Sequence, residues 1–155
     1  MTDWPIIHKA VVERFAAGWD APGPHAWDDD FLSQDVELNQ PMVPRVTNLR
    51  MWHEEMRRLL SFLPDLRADV SDWAGREDRV FIRFELRATL AGKPVTVRAV
   101  DELWIEPDGT VRRRDSFFDS APLAQTVMRR PSTWISWWRS GLGPLLARRG
   151  LLGKP

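Results

Sequence analysis

Apolar positions change period once along this chain. Up to Leu63 they recur at three- and four-residue steps, as on helices with one buried face; from Leu66 to Asp119 they recur every second residue, as on strands. Trp4, Ile7, Val11, Phe15 and Trp19 predict a first helix over Pro5–Trp19, with Asp3 as N-cap and Pro5 in the first turn. Asp20-Ala21-Pro22-Gly23-Pro24 ends it. His25 to Leu32 reads as a short, acid-rich second helix, and Asp35 to Gln40 as a short strand stopped by Pro41. Thr47 or Asn48 caps a third helix running to Leu63. Its stripe is Leu49, Trp52, Met56, Leu59, Leu60 and Leu63, with Arg50 and His53 on the margins. Strands are then expected over Leu66–Trp73, Val80–Arg87, Val95–Ile105 and Thr110–Asp119, with a turn at Gly75, a second at Ala91-Gly92 and a hairpin at Asp108-Gly109. This order is α+β: three N-terminal helices packed on a strongly curved antiparallel sheet.

The third of these strands carries the most informative position. One of its faces holds Val95, Val97, Ala99, Asp101, Leu103 and Ile105, so a single ionisable group sits among aliphatic neighbours. Burying a carboxylate is costly unless it is protonated, paired or hydrogen-bonded. A two-residue loop at Asp108-Gly109 would set Ile105 opposite Arg112, Leu103 opposite Arg114 and Asp101 opposite Ser116, with Arg112, Arg114, Ser116 and Phe118 on the Asp101 face. Arg113 and Asp115 would then pair across the opposite face. If Arg114 reaches Asp101, the carboxylate stays ionised with a depressed pKa. If Arg114 points to the rim, burial raises that pKa, by up to roughly 3–5 units. A third arrangement has Arg114 orienting a carboxylate that acts as a base.

Composition narrows the chemistry. There is no Cys and no Tyr, which excludes thiolates, disulfides and phenolic acids, while Trp occurs nine times. The three histidines are widely spaced with no His-x-x-x-His pair, so no metal is expected. The N-terminus lacks an apolar leader, which makes the expected location cytoplasmic. A net charge of zero hides an asymmetry, since residues 1–128 carry 22 Asp/Glu against 16 Lys/Arg and residues 129–155 carry six Lys/Arg and no acid. The acidic body argues against nucleic acid as a partner. Residues 126–155 read as a basic, Trp-rich helical extension (Trp134, Ile135, Trp137, Trp138, Leu142, Leu145, Leu146) of a domain spanning 1–125. That tail suits docking on the domain or on a partner, or contact with a membrane surface.

The stretch Arg98-Ala99-Val100-Asp101-Glu102-Leu103-Trp104-Ile105, followed by Asp108-Gly109-Thr110-Val111, resembles the end of the sheet in SnoaL-like proteins and ketosteroid isomerases. These belong to the nuclear transport factor 2-like superfamily, and Val11-Val12-Glu13-Arg14-Phe15 is similar to its first helix. The resemblance covers about residues 4–125 and implies a cone-shaped, cystatin-like fold. Asp101 falls where ketosteroid isomerases keep a protonated Asp, an arrangement long used to illustrate a carboxylic acid held neutral. Phe15 and Gln40 fall where those enzymes keep a tyrosine and a carboxylate base, so that reaction lacks two of its three groups. Epoxide hydrolysis would need Arg-x-Asp where this chain has Phe84-Glu85-Leu86.

The resemblance therefore implies cofactor-independent acid/base chemistry of isomerase, cyclase or lyase type on a bulky apolar carbonyl compound such as a polyketide, terpenoid or steroid. The alternative is a non-catalytic binding or interaction domain. Asp101 and Arg114 are the expected catalytic pair. Phe15, Trp19, Trp52, Phe84, Leu86, Leu103, Ser116 and Phe118 form the expected cavity wall. Glu37 and Asn39, on one face of the short strand, either line that cavity or face water; Glu37 or His53 could assist. A hydrophobic small molecule and a second copy in a homodimer are the expected partners.

Overall fold

The computed structural model describes residues 1–28 and 30–142 of the chain. Its order is α1 (Trp4–Asp20), β1 (Leu32–Asn39), α2 (Leu49–Phe62), β2 (Arg67–Arg76), β3 (Arg79–Leu90), β4 (Lys93–Ile105), β5 (Val111–Phe118), α3 (Ala121–Met128), a 3-10 turn (Pro131–Thr133) and α4 (Trp134–Ser140). The α+β class holds, and the five strands form one sheet in the order β1-β5-β4-β3-β2.

Two features of the predicted order need correction. Two N-terminal helices are present, not three, because residues 24–28 form turns rather than a helix. Asp30 takes a left-handed φ of 57°, and the Asp28 carboxylate is held by side chains instead of a helix end. Trp27 drops into the core beside Gly18 of α1, where a Cβ would lie 2.1 Å from its Nε1. The sheet is also not wholly antiparallel, since β1 runs parallel to β5, with Leu38 beside Arg114 and Asn39 beside Asp115. A parallel pair needs a long crossover, and α2 with the β2–β4 meander supplies it.

Helix starts follow the local chemistry. Asp3 accepts a hydrogen bond from the Ile6 amide, and Asn48 accepts one from Met51. The buried faces of α1 and α2 cover the sheet with Val11, Phe15, Trp19, Trp52 and Met56. On β4 the burial alternates as the sequence pattern requires, with Ala99, Asp101, Leu103 and Ile105 inside. The turn expected at Gly75 lies two residues later, at Glu77 and Asp78, because β2 continues to Arg76.

The β4–β5 hairpin reaches the predicted pairing by a different route. Gly109, at φ 88°, donates its amide to the Glu106 carbonyl at 2.9 Å, and the Glu106 amide donates to Thr110 at 2.8 Å, which makes a three-residue loop. Ile105 consequently faces Val111, one residue short of the expected partner. A bulge at Arg112 then takes the residue back, so Leu103 faces Arg114 and Asp101 faces Ser116. The two offsets cancel. Arg112 leaves the Asp101 face and is exposed, bonded to Asp78 and Glu106.

The C-terminal segment packs into the same body as far as it is described. The expected boundary at 125/126 falls inside α3, and Val127, Trp137 and Leu142 join the core. Trp137 meets Phe62 of α2 edge-on at 5.0 Å. Gly141 ends α4 in a left-handed conformation, so Leu142 lies beyond the helix; the Leu145 and Leu146 positions lie outside the described residues. No described helix is long and apolar enough to cross a membrane.

Candidate functional site

Between α2, the sheet and the C-terminal segment lies a cavity of about 100 Å³. Alternation on β3, β4 and β5 aims Phe84, Leu86, Val97, Ala99, Ser116 and Phe118 into it. The three- and four-residue steps on α2 add Trp52, Glu55, Met56, Leu59 and Leu63. Among the lining residues the charged ones are Arg114 and Glu55, with Ser116 and Gln40 as the uncharged polar groups.

Arg114 is the centre of this site. Its guanidinium carbon lies 5.4 Å from the Phe15 ring centroid and 5.3 Å from that of Trp52, so two aromatic rings hold the cation. Its Nε donates to Oδ2 of Asp101, whose exposure to solvent is 0%. No further hydrogen bond from the guanidinium is made among the described residues. A guanidinium carries five N–H donors, and the two Nη groups of Arg114 make no hydrogen bond to the described residues. Ser116 stands directly opposite Asp101 on β5, so its hydroxyl is the uncharged polar group beside the buried carboxyl.

Of the alternatives open for Asp101, the structure takes parts of two. Arg114 does pair with it, yet burial is the larger influence. Burial pushes the Asp101 carboxyl up, the charge of Arg114 and the hydrogen bonds of Ser116 and Arg114 pull it down, and the result lies above the ordinary value. Asp101 does not line the cavity; it stands behind Arg114, which does.

Other expected residues divide between wall and outside. Trp19, Trp52, Phe84, Leu86, Ser116 and Phe118 are at the cavity. Phe15 and Leu103 border a smaller gap on the other side of Arg114, together with Trp27 and Phe31. Glu37 and Asn39 are on the outer face of the sheet. Glu37 accepts from Arg45 at 2.6 Å, and Asn39 donates to Asp115 at 2.7 Å. The alternation on β1 buries Leu38 and so turns both of its neighbours outward. Arg113 and Asp115 are on that same face, but they pair with each other along β5 at 2.8 Å instead of with charges across the strands, and Trp104 lies between Arg79 and Arg113 there.

His53 is also away from the cavity. It bonds Asp28 at 2.6 Å, and His25 bonds the other carboxylate oxygen at 2.5 Å. The histidines are therefore less dispersed than their spacing suggests. His8 is buried against the Glu77 carbonyl at 2.7 Å.

Sequence reasoning missed Glu55, Trp137 and Leu142. Glu55 had a signal, since it lies three residues after Trp52 and so shares its helix face. Trp137 and Leu142 had none, because nothing local says that the tail returns to α2.

Comparison with known proteins agrees with this architecture. The family model for the SnoaL-like domain matches residues 12–114. The chain belongs to the SnoaL-like domain family. Among solved structures, AclR, a putative hydroxylase from Streptomyces galilaeus, is 24% identical with a TM-score of 0.64, covering 80% of this chain and 82% of its own. A putative SnoaL-like polyketide cyclase from Jannaschia sp. CCS1 is 18% identical with a TM-score of 0.65, covering 79% and 90%. TerC, co-crystallised with polyporic acid, is 17% identical with a TM-score of 0.70, covering 79% and 98%. At these identities the SnoaL-like likeness is one of fold. No curated protein matches the chain.

Proposed function

We propose that this SnoaL-like chain binds a bulky apolar carbonyl compound of polyketide type, with a carbonyl or enolate oxygen against Arg114. The observation that carries the reading is the ring-clamped Arg114, whose Nη groups have no partner among the described residues, on the wall of a mostly apolar cavity. A fixed cation in a water-poor site stabilises charge developing on a substrate oxygen far better than water does. Asp101 serves as the residue that positions Arg114. Glu55, the carboxylate on the same wall and 4.0 Å from Nε of Arg58, is the group placed to take the proton from carbon next to the carbonyl while the electron pair moves onto the oxygen beside Arg114. This is the first half of an isomerisation or an aldol-type ring closure, and it needs no cofactor. TerC, a relative in fold, was co-crystallised with polyporic acid, which is in keeping with a ligand-binding role for this fold.

A binding role without chemistry is the second reading, favoured by the complete burial of Asp101. Naphthyl 1,3-diketones and their hydrocarbon counterparts separate the two. Quenching of the cavity tryptophans reports binding, and exchange of the α-hydrogen in deuterated water reports catalysis. Arg114→Met is expected to weaken diketone binding by about tenfold or more, equivalent to about 1.4 kcal/mol, and to leave the hydrocarbon unaffected. Exchange faster than in protein-free buffer is the catalytic readout, and that excess is expected to disappear in Glu55→Gln. Binding without exchange in the unaltered protein would reduce the function to binding. Equal loss of both ligands in Arg114→Met and in Arg114→Lys would remove Arg114 from its role.

A further inference from the structure

Away from the cavity, two histidines and an aspartate far apart in sequence come together on the outside of α2. His25 and Asp28 belong to the turn after Pro22-Gly23-Pro24, and His53 stands in the first half of α2. Nδ1 of His25 and Nε2 of His53 each meet a different oxygen of Asp28, at 2.5 and 2.6 Å, and the imidazole centroids are 4.2 Å apart. One donor atom from each residue fits within 4.8 Å of the other two. We infer that His25, Asp28 and His53 form a binding site for a divalent transition-metal ion of the zinc class.

The donor chemistry selects that class. Two imidazole nitrogens and a carboxylate suit zinc, cobalt(II) or nickel, whereas magnesium and calcium prefer oxygen alone. Each imidazole would coordinate through the nitrogen that now faces Asp28 and keep its N–H on the other ring nitrogen, and the ion's remaining positions would hold water. The geometry offers both entry and support, since the His25 side chain is 68% exposed and that of His53 only 17%. Binding would fasten the turn to α2. Trp27 of that turn meets Trp52 edge-on at 5.8 Å, and Trp52 clamps Arg114, so the ion would stiffen one wall of the cavity.

The test uses the full chain, free of any histidine tag and stripped with a chelator. Cobalt(II) titration should give a saturable visible absorption at one equivalent, bleached by zinc, together with a rise in melting temperature of a few degrees, as expected when a ligand binds only the folded state. His25→Gln, at an exposed position that folding does not depend on, should weaken binding by about tenfold or more. Asp28→Asn should do the same. No saturable absorption, or equal binding by the unaltered protein and His25→Gln, would overturn the assignment. So would stabilisation by magnesium that His25→Gln does not change.

Discussion

A carboxylate with no exposed surface, facing an arginine across two strands, makes Asp101 the residue whose titration says most about the site. Its raised pKa means that the folded protein binds this proton more tightly than the unfolded chain does. Folding is favoured in full below the ordinary value of 3.8, and stability is lost as pH rises through the window up to the folded pKa. Each pKa unit of elevation is worth about 1.4 kcal/mol. Urea unfolding of the protein and of Asp101→Asn across pH 4 to 7 isolates this group, because the other carboxylates cancel in the difference. The unaltered protein should lose ground to the variant as pH rises from about 4. A difference that moves the other way would show an ionised Asp101 held by Arg114. The isolation of Asp101 was readable from alternation alone, since a period of two puts Ala99, Asp101 and Leu103 on one face. That burial outweighs Arg114 was not readable, because it depends on Phe15, Trp52 and the sheet closing around both groups.

Among the elements, α1 and the turn after it show how closely two segments can approach. A methyl group at Gly18 would lie 2.1 Å from Trp27 Nε1, so Trp27 occupies space that only glycine leaves open. Gly18→Ala should therefore displace Trp27 and destabilise the fold by about 1–3 kcal/mol, the usual range for overpacking a core. Chemical denaturation measures the loss, and tryptophan fluorescence reports the displaced ring. Unchanged stability would mean that the turn gives way freely. The same turn explains why the expected second helix does not form. Its apolar and acidic residues fit a helix on paper, but Trp27 is drawn into the core and Asp28 to His53. The β4–β5 hairpin teaches the complementary lesson. Its loop is one residue longer than expected and its bulge restores the offset, so the pairing of Asp101 with Ser116 was legible while the displacement of Arg112 was not.

For the molecule as a whole, the described part of the C-terminal segment supplies part of the cavity wall. Trp137 is 3% exposed, lines the cavity and packs on Phe62. Trp137→Ala should cost about 3–5 kcal/mol, as for other buried tryptophans, and open the cavity to larger guests. Thermal unfolding and the binding of an apolar dye would record both effects. A variant as stable as the parent, with no gain in dye binding, would make the segment an appendage.

The sequence by itself determined the α+β class, four long strands, the helices α1 and α2, and Asp101 as a charge on an apolar face. Those features follow from local periodicity and from capping and turn chemistry, which act over a few residues. Only the tertiary structure decided that Arg114, not Asp101, meets the cavity, that Glu37 and Asn39 face away from it, that the tail supplies Trp137 and Leu142 to its wall, and that His25 and His53 share Asp28. Each of these depends on which distant segments touch. Contact of that kind is set by packing and by the cost of burying charge, and neither quantity is written in any single stretch of the chain.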